Sequence, residues 1–439
     1  MKKAKRMGVR HHKKEKKVKV KRITDRFYVK VMITLCVLIF VQLGNIFPIP
    51  TINTTYFSYL ISKTNVLGMM NRFSGGAFGK MTIFALGISV YISASIIVQM
   101  LTAVFRKMEE LERNGAYGKK QLEKITVLFS IVLSVSVAFS FSFALRQYGL
   151  LRSTSLPVFF ATAVFLCLGS LILIFLGKMI DKWGIGNGIT IILMMNMISY
   201  LPSDGVNLYY GFIKGHSIRW VTVIGILLCL LGMAILLNEI EKRIHLQYST
   251  APIENETVNE IAYLAISGRL ISVMPAILAS TIFQVISFIV MFSQQESAKW
   301  FRYFDMSNWF DKEHPMYTLG FIGYLLLMIF FSYFYVSITL NENQTAHNFR
   351  KEGITVDNIR PGEETAIYLK KALRQIIWIC LFLLFVIITV PMVVTGFFHV
   401  TSLNTGGTTI VIIVGTMLET IRSVKGEWMV HNYEKKKWL

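Results

Sequence analysis

The chain has 439 residues, of which 54% are hydrophobic and only 16% charged. A soluble globular protein of this length needs far more charged surface, so that class is excluded. The formal net charge of +21 would suit a nucleic-acid binder, but the positive residues lie in an N-terminal arm and in loops between apolar blocks.

Residues 1–26 form that arm, with Lys2, Lys3, Lys5, Arg6, Arg10, Lys13 and Lys14 among its charges. A signal peptide has a shorter basic region and a small-residue cleavage site after its apolar stretch. Here the apolar stretch runs instead into Asn45-Ile-Phe-Pro-Ile-Pro50. The arm is expected on the cytoplasmic face against anionic lipid, with RNA contact only through the ribosome.

Apolar stretches of membrane-crossing length follow at 27–46, 81–104, 125–146, 157–179, 188–208, 219–238, 271–294, 317–340, 374–395 and 407–424. Backbone amides in lipid must pair within their own segment, so these stretches predict an all-α membrane protein of about ten helices. Lys and Arg concentrate in alternate loops, at Arg106, Lys107, Lys178, Lys242, Arg243 and Arg360 for example. That asymmetry puts both termini in the cytoplasm, which an even number of crossings requires. Residues 51–80 break the rhythm, being polar and containing Ser74-Gly-Gly76. They read equally as an external loop or as a short re-entrant segment, which is tolerated where protein or water surrounds it.

The central portions of the helices carry no Asp, Glu, Lys, Arg or His, the residues of proton relays and coupling-ion sites. This argues against a secondary transporter. Histidine and acid ligands grouped on helices, as a metalloprotease needs, are missing too. Cys36, Cys167, Cys229 and Cys380 sit in apolar blocks without metal-ligand spacing and read as packing residues. A nucleophilic serine would need a base in its layer. Asp305, Asp311 and Glu313 are the one acidic group that a lipid- or sugar-modifying enzyme would use, and they read as a solvated loop. No enzyme, metal or cofactor is expected.

Four blocks carry a family resemblance. Residues 73–101, from Phe73-Ser-Gly-Gly76 through Tyr91-Ile-Ser-Ala-Ser95 to Gln99, resemble the plug and second helix of the SecY family of protein-conducting channels. Gly184-Ile-Gly-Asn-Gly-Ile-Thr190, Asn358-Ile-Arg-Pro-Gly-Glu-Glu-Thr365 and Gly406-Gly-Thr-Thr-Ile-Val-Ile412 agree in order and spacing. The resemblance covers residues 27–424. It implies two inverted five-helix halves, 27–210 and 211–424, with a re-entrant plug at about 62–74 and a cytoplasmic tail at 425–439.

It also implies site residues. The pore ring would be Ile88, Ile92, Ile189, Leu193, Ile277 and Ile412, all aliphatic, and such a ring dewets and blocks ions. Asn65, Gly68, Asn71 and Ser74 would belong to the plug. A lateral gate would use Ser93, Gln99, Ser280 and Gln284, with Ser95 and Thr281 nearby, as weak interhelical polar contacts. Arg360 would dock the motor. Implied partners are a SecA-type ATPase, a small SecE-like membrane subunit, secretory preproteins and accessory Sec proteins.

Several positions depart from the housekeeping pattern. Gln42 stands where an arginine is common, and Gly87-Ile-Ser-Val-Tyr91 lacks the usual proline. The loop from Gln247 to Arg269 is short and acidic, and Ser267-Gly-Arg-Leu270 replaces a Lys-Val-Asn run. These departures favour an accessory SecY exporting a few large, often glycosylated surface proteins over the alternative, a housekeeping channel.

Overall fold

The computed structural model describes residues 27–54, 57, 70–153, 155–210, 217–248, 263–293, 303, 309–310, 314–340, 342–356, 359–398 and 406–438. Two compact units divide the chain, Met1–Leu201 with Thr416–Leu439, and Pro202–Gly415.

The first unit begins with α1 (Phe27–Gly44), an apolar helix of which only 11% is buried. Its exposed Met32, Leu35 and Ile39 suit a lipid solvent and would be untenable in water. After α1 the chain turns irregular. Residues 74–88 run as successive turns, and α2 (Ser89–Val104) starts only at Ser89. The apolar stretch expected to be helical from residue 81 is therefore not helical until Ser89. Gly87 at φ +61 and Met81 at φ 49 are the physical reason, because a left-handed residue cannot continue a right-handed helix.

A short helix, α3 (Arg106–Arg113), follows α2 at a bend of 106°. Next come α4 (Gly115–Gln147) and α5 (Leu156–Trp183), an apolar pair joined in its core by the hydroxyls of Ser134 and Ser170, 2.8 Å apart. Both spans overrun their apolar parts, since a helix propagates cheaply through polar residues once nucleated. A Cβ built on Gly169 of α5 would lie 1.8 Å from the Ile83 carbonyl oxygen, so helix and turn meet backbone to side-chain-free backbone. Phe57, Phe78 and Phe141 close this core, with ring centroids 5.4–6.3 Å apart. The last helix to start here, α6 (Gly188–Leu208), contains Pro202, where the second unit begins.

The second unit contains α7 (Ser217–Glu239), strands β1 (Glu241–Tyr248) and β2 (Tyr263–Ser267), and α8 (Arg269–Ser293). Then come α9 (Thr318–Thr339), α10 (Glu342–Glu352), β3 (Ile354–Val356) and α11 (Glu363–Phe398). The three strands form an antiparallel sheet of order β2-β1-β3, with Ile244 opposite Leu264 and Gln247 opposite Thr355. A wholly buried Trp309 packs on Phe283 of α8 and on Phe321 and Tyr324 of α9, with centroids 5.5–5.8 Å away. Its indole N–H donates to the Tyr303 carbonyl at 2.8 Å. Helix α12 (Gly406–Trp438) crosses from the second unit into the first at residue 416.

Among the described residues, eight helices are long and apolar enough to cross a membrane, and the bent α2–α3 pair makes a ninth. Within α8 the apolar stretch Ile271–Phe283 is shorter than a membrane crossing, so the described residues give eight or nine spans where about ten were expected. The protein is a multi-pass helical membrane protein.

Candidate functional site

In the first unit the expected ring positions lie on α2 and α6. Ile88 is the fully buried N-cap of α2, and half-buried Ile92 follows one turn later, its N–H on the Ile88 carbonyl at 3.2 Å. Ile189 and Leu193 are likewise one turn apart on α6 and buried. The spacing of four places each pair on one helix face. Local chemistry fixes where α6 starts. The Asp181 carboxylate accepts the Gly188 N–H at 2.7 Å, and the Asn187 side chain accepts the Ile189 N–H at 3.1 Å. These acceptors satisfy donors that the first turn leaves orphaned.

Asp181 also belongs to a charged group that the sequence reading did not single out. Lys178 of α5 pairs with Glu123 of α4, lies 3.3 Å from Asp181, and sits 5.3 Å from the Tyr91 ring centre on α2. One ammonium thus touches groups on both ring-bearing helices of this unit or their caps. In the second unit Ile277 lies on α8 and Ile412 on α12, and both are buried.

Of the expected plug residues, Asn65 and Gly68 lie outside the described residues. Asn71 and Ser74 are buried and organise the turns that follow. Asn71 accepts the Gly79 N–H at 2.7 Å through its side chain and the Gly76 N–H at 2.8 Å through its carbonyl. Ser74 donates to the Asn71 carbonyl at 3.0 Å and accepts the Phe78 N–H at 2.9 Å. Gly75 and Gly76, at φ +68 and +85, supply the left-handed backbone that this compact knot requires.

The knot rests on a cluster of amides. Asn196 of α6, 1% exposed, donates to the Phe73 carbonyl at 3.3 Å. Its side-chain oxygen accepts from Gln42 of α1 at 3.3 Å and from Asn45 just beyond α1 at 3.4 Å. Asn71 donates to the Tyr200 hydroxyl at 3.2 Å. Sequence reasoning missed Asn196 and Tyr200. The available signal was an amide amid the apolar first half of α6, where an unpaired one would be costly.

The polar residues expected at a lateral gate bond within their own helices. Ser93 donates to the Ser89 carbonyl at 3.0 Å, Gln99 to Ser95 at 3.3 Å, and Ser280 and Thr281 to the Ile277 carbonyl at 2.9 and 2.8 Å. The Gln284 side chain lies outside the described residues. Arg360 is exposed on a turn between β3 and α11. The Thr365 hydroxyl donates to its carbonyl at 2.9 Å, and the Ile359 N–H donates to Val356 at 3.0 Å. Among the described residues no three His, Cys, Asp or Glu side chains group as a metal site would. Asp305, Asp311 and Glu313 lie outside the described residues.

Comparison with known proteins gives the chain's family and fold. The SecY family model matches residues 82–421. The chain is 29% identical over 417 residues to the protein translocase subunit SecY of Staphylococcus epidermidis, covering 92% of this chain and 95% of the relative. It is 30% identical over 415 residues to that of Staphylococcus carnosus, covering 91% and 94%. Among solved structures, a protein-conducting channel aligns at TM-score 0.64 and 16% identity over 92% of this chain and 93% of the other. Sec61 from a canine ribosome-channel complex aligns at TM-score 0.62 and 16% identity, again over 92% and 93%. These likenesses share the fold described above, and with the sequence match extending from the turns before α2 to the middle of α12, the chain belongs to the SecY family.

Proposed function

We propose that this chain is the central channel subunit of a protein translocase of the bacterial plasma membrane. It passes unfolded secretory proteins through an apolar constriction and releases apolar segments sideways into lipid. The observation that carries this reading is the family match from residue 82 to 421, within which all six expected ring positions are aliphatic. A ring of branched apolar side chains excludes water and ions yet yields around a chain in transit. The channel does no covalent chemistry itself, so work comes from a SecA-type ATPase, and a small SecE-like subunit braces the two halves, 27–210 and 211–424.

Arg360 is the motor contact in this reading. It is exposed on a turn held by Thr365, and a guanidinium offers a rigid fork to carboxylates and carbonyls. Both termini are cytoplasmic, and the basic arm lies on anionic lipid. The acidic loop between Gln247 and Arg269 and the substitutions at Gln42 and Val90 support an accessory channel for a few specialised surface glycoproteins, working with accessory Sec proteins.

Depletion in the host, followed by quantitative proteomics of the exported fraction, tests this. Loss of one or a few large surface proteins with growth preserved supports the accessory channel. Collapse of general secretion would make it the housekeeping channel, and an unchanged exported fraction would overturn the channel reading.

A further inference from the structure

Lys178 of α5 stands where α2, α4 and the start of α6 come together. Its ammonium pairs with Glu123 of α4, lies 3.3 Å from the Asp181 carboxylate, and sits 5.3 Å from the centre of the Tyr91 ring on α2. At that distance a cation is drawn to the face of an aromatic ring. Asp181 divides its two oxygens, with Oδ2 toward Lys178 and Oδ1 accepting the Gly188 N–H at 2.7 Å in the first turn of α6. The residue before Lys178 completes the joint. A Cβ built on Gly177 would lie 2.6 Å from the Ile189 Cδ1, and one on Gly188 would lie 2.1 Å from the Gly177 carbonyl oxygen. The first ring position of α6 is therefore seated in a notch on α5, beside Lys178. On α2 the hydroxyls of Ser89, Ser93 and Thr102 donate to the carbonyls of Leu86, Ser89 and Val98, within that helix or the turn before it. Tyr91, next to Ile92 in sequence, makes its contact with α5 instead.

We propose that Lys178 is a positioning residue for the constriction, holding the ring pair of α2 and the ring pair of α6 at a fixed separation through α5. Two arms leave one ammonium. One goes to Tyr91 and so to Ile92, and the other goes through Asp181 to the start of α6 and so to Ile189. A lysine suits this place because a compact charge on a flexible stem can meet two carboxylates and a ring face at once. The Lys178 side chain is 26% exposed, so its ion pairs add little to overall stability. Their effect is on geometry. Apolar ring side chains exclude water and ions only while they stand close together, and a small gain in separation opens a leak before the fold is disturbed. This role rests on the channel reading above.

The test uses the full-length protein reconstituted in vesicles loaded with potassium chloride, with chloride efflux as the reading. Lys178→Met should raise the resting leak about fivefold, the ratio for loss of about 1 kcal/mol. Lys178→Arg keeps a cation for the carboxylates and the ring, and should return the leak to within about twofold of the unmodified protein. Tyr91→Leu removes one arm and should give about threefold. The double variant should leak no more than Lys178→Met by itself, because the two residues act through one contact. Lys30→Met breaks an ion pair of similar exposure, to Glu427 in the same unit, and should stay within about twofold. An unchanged leak in Lys178→Met overturns the proposal, as does failure of Lys178→Arg to restore the seal. Multiplied leaks in the double variant, or an equal leak from Lys30→Met, overturn it too. Ile92→Asn puts an amide into the ring itself and tests the channel reading separately. Vesicles that stay tight with that variant sink the channel reading, whereas a leak from Ile92→Asn alone sinks only the role of Lys178.

Discussion

Each unit packs an irregular stretch of chain against its helices, and the two do it by different means. In the second unit Trp309 fills a box of Phe283, Phe321 and Tyr324 and is wholly buried, with one hydrogen bond to Tyr303. In the first unit polar groups do it, with Asn196 donating to the Phe73 carbonyl and Asn71 donating to the Tyr200 hydroxyl. Apolar burial is non-directional and scales with area, so the tryptophan joint is strong and tolerant of small shifts. Amide contacts are directional and nearly exchangeable with water, so their net value is small, while their geometry is strict.

Four substitutions would break or sharpen the contrast. Trp309→Ala should have the largest effect, about 3–5 kcal/mol of lost stability, as for other emptied aromatic sites. It would be read as a lowered unfolding midpoint in detergent and new protease cleavage between α8 and α9. Asn71→Ala should cost about 1–3 kcal/mol, because the Gly79 N–H would be left buried without its acceptor. Its cleavage sites should cluster between residues 70 and 88, and cleavage near Trp309 instead would contradict the separation of the two joints. Tyr200→Phe removes only the acceptor of the Asn71 amide and should cost about 1 kcal/mol. The weakest effect belongs to Lys178→Met, which breaks part-exposed ion pairs to Glu123 and Asp181. It should shift stability by about 1 kcal/mol or less, and that shift should shrink further in high salt.

Hydropathy made the helices visible, because lipid forces long unbroken apolar stretches whatever the tertiary contacts. It misplaced the start of α2 because an apolar turn and an apolar helix look alike until a left-handed residue such as Gly87 is seen in place. It also stopped α12 at residue 424, although the helix continues to Trp438 through a polar tail. The small sheet was missed although β1 carries a legible alternation, Ile244, Leu246 and Tyr248 against Arg243, His245 and Gln247. That signal was overshadowed by the loop charges around it. At the site, Ile88 with Ile92 and Ile189 with Leu193 were named only through the family resemblance, and helical spacing then puts each pair on one face. The Asn196 cluster was not, because its members come from three stretches of sequence more than a hundred residues apart at the extremes.

The close approach of Gly169 to the Ile83 carbonyl has a consequence for inheritance. Any single-base missense change in a glycine codon adds at least a Cβ atom, and every such atom at this position meets backbone that has no rotamer with which to step aside. Position 169 therefore has no amino-acid-changing neighbour in the genetic code that leaves this packing intact. A lineage that alters it must move the turn before α2 in the same step, or lose the joint between α5 and that turn.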